Sequence, residues 1–285
     1  MIGDKQNQNV GSNGLALQAA RDIHYHGPSV TEIKELCELF LEKNFPILRQ
    51  EAIQAAQQQV KDFSVVLEKT LIENSADLVI EKFREPDVQA AINDAVQACA
   101  RKGAKASPDL LSNLIVERIS KQSSDYKDIV LNEAIQVIPR LTPNQISFIA
   151  LHNFCASMVI QGLSNTRQLE DMGRKVLAIT ENGMNLSDSQ KRHIEYTGAL
   201  TISSISRGDD IYDLLAKGGY KYLHFESGAQ FKAALTHSAP SFNRLLAAYD
   251  KEALSNISLT SVGQAIALAH LSSAVGKIDY SIWIA

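Results

Sequence analysis

The chain has 285 residues, 45% of them hydrophobic, with 28 basic and 32 acidic side chains and a net charge of −4. That length and apolar content support one large core or two ordinary ones and exclude a wholly disordered chain. The mild acidity excludes a partner chosen by global charge, whether nucleic acid or an anionic membrane surface.

The first 27 residues differ in composition from the rest. After the Gln-, Asn- and Gly-rich "DKQNQNVGSNG", the stretch "GLALQAARDIHYHG" alternates. Leu15, Leu17, Ala19, Ile23 and Tyr25 fall on one side of an extended chain, and Gln18, Asp22, His24 and His26 on the other. Arg21 interrupts the apolar side. A lone strand has unpaired backbone groups along both edges and is too small to be stable alone. It is therefore expected to pair with the same segment in other copies, burying Leu15, Leu17, Ile23 and Tyr25; the alternative is packing on its own domain. His24 and His26 share a face at a spacing that suits metal only with a third ligand, so they read as a polar pair facing solvent. Gathered in an oligomer, their protonation below about pH 6.5 would loosen it.

Ser29 and Glu32 form a capping-box signature for a helix with Ile33, Leu36, Cys37, Phe40 and Leu41 on its apolar face. "KNFP" predicts a break, with Asn44 capping and Pro46 in the first turn of a further helix that reaches about Glu73. Asp87 to Lys102 reads as a helix closed by Gly103, and Ser107 with Pro108 opens the next. Tyr126 to Ile138 follows, and then Thr142, Pro143 and Gln145 start another. Beyond Gly162 helices are expected near 166–177, 187–203 and 209–217, a short strand in "YKYLHF", helices around Phe231 and Phe242, and an edge strand or turn in "ISLT" followed by a helix from about Ser261 to Ala274. "DYSIWIA" alternates and reads as a final strand or extended segment.

No nucleophile elbow, metal-ligand spacing or cofactor loop stands out, so catalytic and metal residues are expected to be absent and no cofactor is implied. His152, His193 and His270 fall in helices and read as satisfied or surface side chains rather than bases. Cys37, Cys99 and Cys155 are odd in number and far apart, and read as reduced thiols in apolar surroundings. Asp209 and Asp210 sit where carboxylates favour a helix start, and "ARKGAK" where cations favour a helix end. No stretch approaches the roughly 20 apolar residues that span a bilayer, and the opening residues do not read as a signal peptide, so the expected compartment is the cytoplasm.

"ISLTSVGQAIALAHL" resembles the Leu-Thr-x-x-Gly join that follows the wing of winged-helix domains, with Thr capping the next helix and Gly permitting close packing. No segment carries the outward Arg, Lys, Asn and Gln of a recognition helix, so DNA binding is admitted but not favoured. Together, the opening segment, "EPDVQAAINDAV", "VLNEAIQVIPRLTPNQ", "LTSVGQAIALAHL" and "YSIWI" resemble a family of uncharacterised bacterial proteins. The opening resembles polar β-repeats appended to bacterial proteins of defence or signalling type, keeping Gln18, Ala19, Arg21, Asp22 and Ile23 but placing Ala20 where the repeat often has Gly. "RLTPNQ" and the later Leu-Thr pair more distantly resemble abortive-infection proteins, which implies phage defence by analogy.

The expectation is thus a mainly α protein, a helical array with a short N-terminal β segment and an α+β C-terminal part open to a winged-helix-like reading. Its divisions are 1–27 for oligomerisation, 28–140 helical and 141–285 mostly helical. The expected function is that of a non-enzymatic homo-oligomer without membrane insertion; the alternative is a winged-helix-like DNA-binding regulator.

Overall fold

Helix punctuation sets most element boundaries in this mainly α protein. The structure, a computed structural model, describes residues 30–122, 124–204 and 210–284, with side chains from residue 49 onward. The segment 14–27, and with it Leu15, Leu17, Ile23, Tyr25, Gln18, Asp22, His24 and His26, lies outside the described residues.

The chain divides into two compact units, Met1–Ile53 and Gln54–Ala285. In the first, the described backbone is helical from Val30. It belongs to α1 (Val30–Glu73), which runs through "KNFP" without the expected break. Pro46 removes one backbone donor there, and the Leu-, Glu-, Gln- and Ala-rich sequence on either side has the propensity to carry the helix past it.

In the second unit α2 (Pro86–Lys102) stops at Gly103, whose φ of 55° suits a residue without a Cβ. α3 (Pro108–Arg118) starts with proline at its first position, but Ser107 does not cap it. Ser107 is left-handed, with φ 59° and ψ 63°, and its hydroxyl makes no capping bond. α4 (Asp125–Val137) is capped by Ser124. α5 (Pro143–Ser157) opens with a complete capping box, the Thr142 hydroxyl accepting from Gln145 N and the Gln145 carbonyl oxygen accepting from Thr142 N.

α6 (Leu169–Thr180) and α7 (Asp188–Tyr196) follow, and the helix expected to reach residue 203 ends at Tyr196. Gly198, with φ 82°, turns the chain into β1 (Leu200–Ile202). α8 (Ile211–Leu214) runs into a π-helical turn at Leu215–Gly219; α9 (Gly228–Ser238) and α10 (Pro240–Lys251) lead to β2 (Ile257–Leu259) and α11 (Ser261–Val275). β1 and β2 pair antiparallel, Leu200 opposite Leu259 and Ile202 opposite Ile257. The stretch "YKYLHF" forms a 3-10 turn rather than a strand. So does "DYSIWIA", where Tyr280 and Ile284 are buried and Ile282 is exposed, a spacing of four rather than two.

α5 and α11 form the centre. Gln145 to Cys155 are all buried, as is nearly every residue from Val262 to Leu271. The two helices pack on each other, with α3, α4, α6 and α10 around them. A helix apolar on all sides needs such full enclosure.

Candidate functional site

The Leu-Thr-x-x-Gly segment ties the sheet to the central helix. The Thr260 hydroxyl accepts from Gly263 N at 3.2 Å and donates to the Gly198 carbonyl at 2.6 Å, and Thr260 N donates to Ala199 O at 3.1 Å. Gly263 lies so close to Ala199 that any Cβ would overlap the Ala199 carbonyl oxygen. Threonine caps and glycine permits contact, as the sequence indicates. What joins β1 to β2, however, is residues 203–256 with α8, α9 and α10, not a short wing.

Beside this join lies a cleft of about 610 Å³, lined by the last turns of α5, by α8 with its π-turn, by β2 and by Gln264 of α11. Gly219 lets the π-turn approach the α5 side, since a Cβ there would meet a Val159 methyl at 2.7 Å. Among the described residues that line it, none is Asp, Glu, Lys or Arg. His152 donates from Nε2 to the Ile257 carbonyl at 2.9 Å and its ring lies 6.0 Å from that of Tyr249. Burial lowers its pKa below the ordinary 6.5, outweighing the backbone carbonyls of Ile257 and Leu254, so the ring is neutral at neutral pH. The Cys155 thiol faces the Leu245 carbonyl at 3.7 Å, and burial, reinforced by Asp250, pushes its pKa far up. A thiol held protonated is not a nucleophile.

The other sequence candidates have structural partners. His270 Nε2 donates to Ile179 O at 3.0 Å, and burial lowers its pKa. His193 Nδ1 lies 3.1 Å from the Gln145 amide, which also donates to Gln190 O and so joins α5 to α7. Burial raises the Cys99 thiol to about 11. Asp210 accepts from Tyr212 N at 2.8 Å and caps α8. In "ARKGAK", Lys102 donates to the Pro139 carbonyl, binding the end of α2 to the turn after α4.

Sequence reasoning missed an ionic cluster built around two buried cations, some of whose acidic partners reach solvent. Arg118, at the end of α3, meets Glu85 and Asp87 at 3.2 Å and Asp128 at 3.0 Å. Lys127 is 1% exposed; its ammonium pairs with Glu117, donates to Gln122 O at 2.7 Å and lies 5.8 Å from the Tyr280 ring centre. These charges lie on three helices and a loop with no shared motif.

A family model described as ":-like" matches residues 27–226 and 220–284. The chain belongs to that family. The matched segments take in every described helix from α1 through α11, together with both strands. No curated protein and no solved structure matches the chain. Among the described residues no helix is long and apolar enough to cross a membrane, and no group of three or more His, Cys, Asp or Glu side chains is placed to hold a metal ion.

Proposed function

We propose that this protein is an assembly protein, self-associating through its N-terminal segment and presenting the helical unit that follows. One observation carries the reading: α1 leaves large apolar side chains in water. Val65 is 61% and Ile72 65% exposed. Seven residues apart, they share one face of the helix. Toward the N-terminus, residues 49–55 of α1 are all exposed. A helix with uncovered apolar positions gains by meeting a second copy. The strand pattern of Leu15, Leu17, Ile23 and Tyr25 supports the same conclusion from sequence. The setting we infer, on the resemblance to abortive-infection proteins, is bacterial phage defence, and a phage challenge with and without the protein tests it.

Light scattering of the full chain decides the assembly step. The wild type is expected as a multimer, and a Leu15→Asp, Ile23→Asp double variant at a lower mass. Equal masses refute the role of the segment.

The pairing of β1 with β2 beside α7 supports a second reading, DNA binding, because the exposed side of α7 carries Arg192, His193 and Tyr196. Against it, Lys191 is paired with Glu252 at 2.8 Å and Arg192 with Glu195 at 3.4 Å. A gel shift of duplex DNA at about 50 mM salt, lost as salt rises, would favour this reading; no shift excludes it.

A further inference from the structure

The cleft beside β2 has features that assembly does not use. We propose that it is a binding site for an uncharged small molecule with an apolar body and one or two hydrogen-bonding groups. Its volume of about 610 Å³ falls within the range of roughly 300–1,000 Å³ typical of small-molecule pockets. Charged residues make up 21% of the chain, yet among the described residues none lines this concavity. A charged ligand would surrender its water there and meet no opposite charge, which selects for neutral molecules.

The walls supply what such a ligand needs. Leu214, 51% exposed, and the partly buried Leu259 form an apolar lip that a ligand would cover. Ser157, Ser258 and Gln264 place two hydroxyls and an amide along the same surface. The floor includes the π-turn at Leu215–Gly219. Such turns are rare and recur at functional sites, because the extra residue per turn redirects backbone and side chains. Here it brings Gly219 close against Val159, which shapes one wall.

The test uses the full chain and N-phenyl-1-naphthylamine, a neutral probe that fluoresces in apolar surroundings, beside its sulfonated analogue 8-anilino-1-naphthalenesulfonate. Saturable binding of the neutral probe at one site per chain is expected, with the sulfonate about tenfold weaker or worse. Ala156→Trp, at an exposed position on the cleft wall, should fill the space and weaken the neutral probe at least about tenfold. Ala178→Trp, also exposed but on α6 and not among the cleft-lining residues, should leave binding unchanged. Thermal melts establish that each variant folds, and Ser258→Trp, also exposed on the cleft wall, replaces Ala156→Trp if that variant does not. Binding that never saturates, equal affinity for the sulfonate, or full affinity in the cleft variant overturns the proposal.

Discussion

Gly263 of α11 rests directly on the carbonyl of Ala199, the residue that precedes β1. The contact fixes where the sheet meets the central helix, because neither backbone can retreat: Thr260 holds Gly198 and Ala199 from the same turn. Gly263→Ala is therefore expected to destabilise the protein by about 3 kcal/mol, at the upper end of the cost of overpacking. Denaturant unfolding measures it. A loss under about 1 kcal/mol would show that the helix can shift.

Two helix starts that read alike in sequence should respond differently to mutation. Thr142→Ala removes a hydroxyl that accepts from Gln145 N and is expected to cost about 1 kcal/mol. Ser107 makes no such bond and sits at φ 59°. Ser107→Gly should accordingly raise stability by up to about 1 kcal/mol, by relieving a conformation that L residues disfavour. Thermal melts of the two variants compare these effects directly, and equal losses would contradict the geometry.

Lys127 depends on Glu117 more than most surface charges depend on a partner. Glu117→Ala removes the carboxylate that pairs with a buried ammonium, leaving it the Gln122 carbonyl, the Tyr280 ring and the charge of Asp279, and is expected to cost about 3–5 kcal/mol. Lys127→Met, which removes the charge and keeps the stem, should cost less. Lys69 and Glu73, both largely exposed and 3.9 Å apart, provide the contrast. Breaking that pair should change stability by less than about 1 kcal/mol. Urea midpoints of the three variants establish the order.

Burial depresses the pKa of His152 and His270 in the folded state. Below about pH 6.5 the unfolded chain takes up protons at these positions that the folded chain still refuses, so the unfolded state is favoured as pH falls. Stability from these two groups is complete above that pH and declines toward their lower folded values. The melting temperature should be flat from pH 8 to 7 and fall between pH 6.5 and 5. A His152→Gln, His270→Gln variant should show a shallower fall over the same window; an identical profile would remove these rings from the account.

The sequence showed the local punctuation best. Thr142 with Gln145, Thr260 with Gly263, Pro108 and Gly103 each act over four residues or fewer, and the structure places each at a helix end. It misled where tertiary context overrode a local signal. "KNFP" reads as a break with Pro46 opening a new helix, yet α1 runs through it, and "DYSIWIA" alternates yet forms a turn because Tyr280 and Ile284 both find the core. The cleft was not legible, since its lining is gathered from residues 152 to 264 and no two neighbouring positions announce it. The ionic cluster escaped for the same reason.

The two strands stand more than fifty residues apart along the chain, a separation that bears on the order of events at the ribosome. β1 emerges without its partner, and α8, α9 and α10 must follow before Ile257–Leu259 arrives to pair with it. Such distant closure is slow compared with helix formation. The concavity that β2 and Gln264 complete is thus among the last features of a nascent chain to exist, and a truncated product ending before residue 257 would lack it altogether.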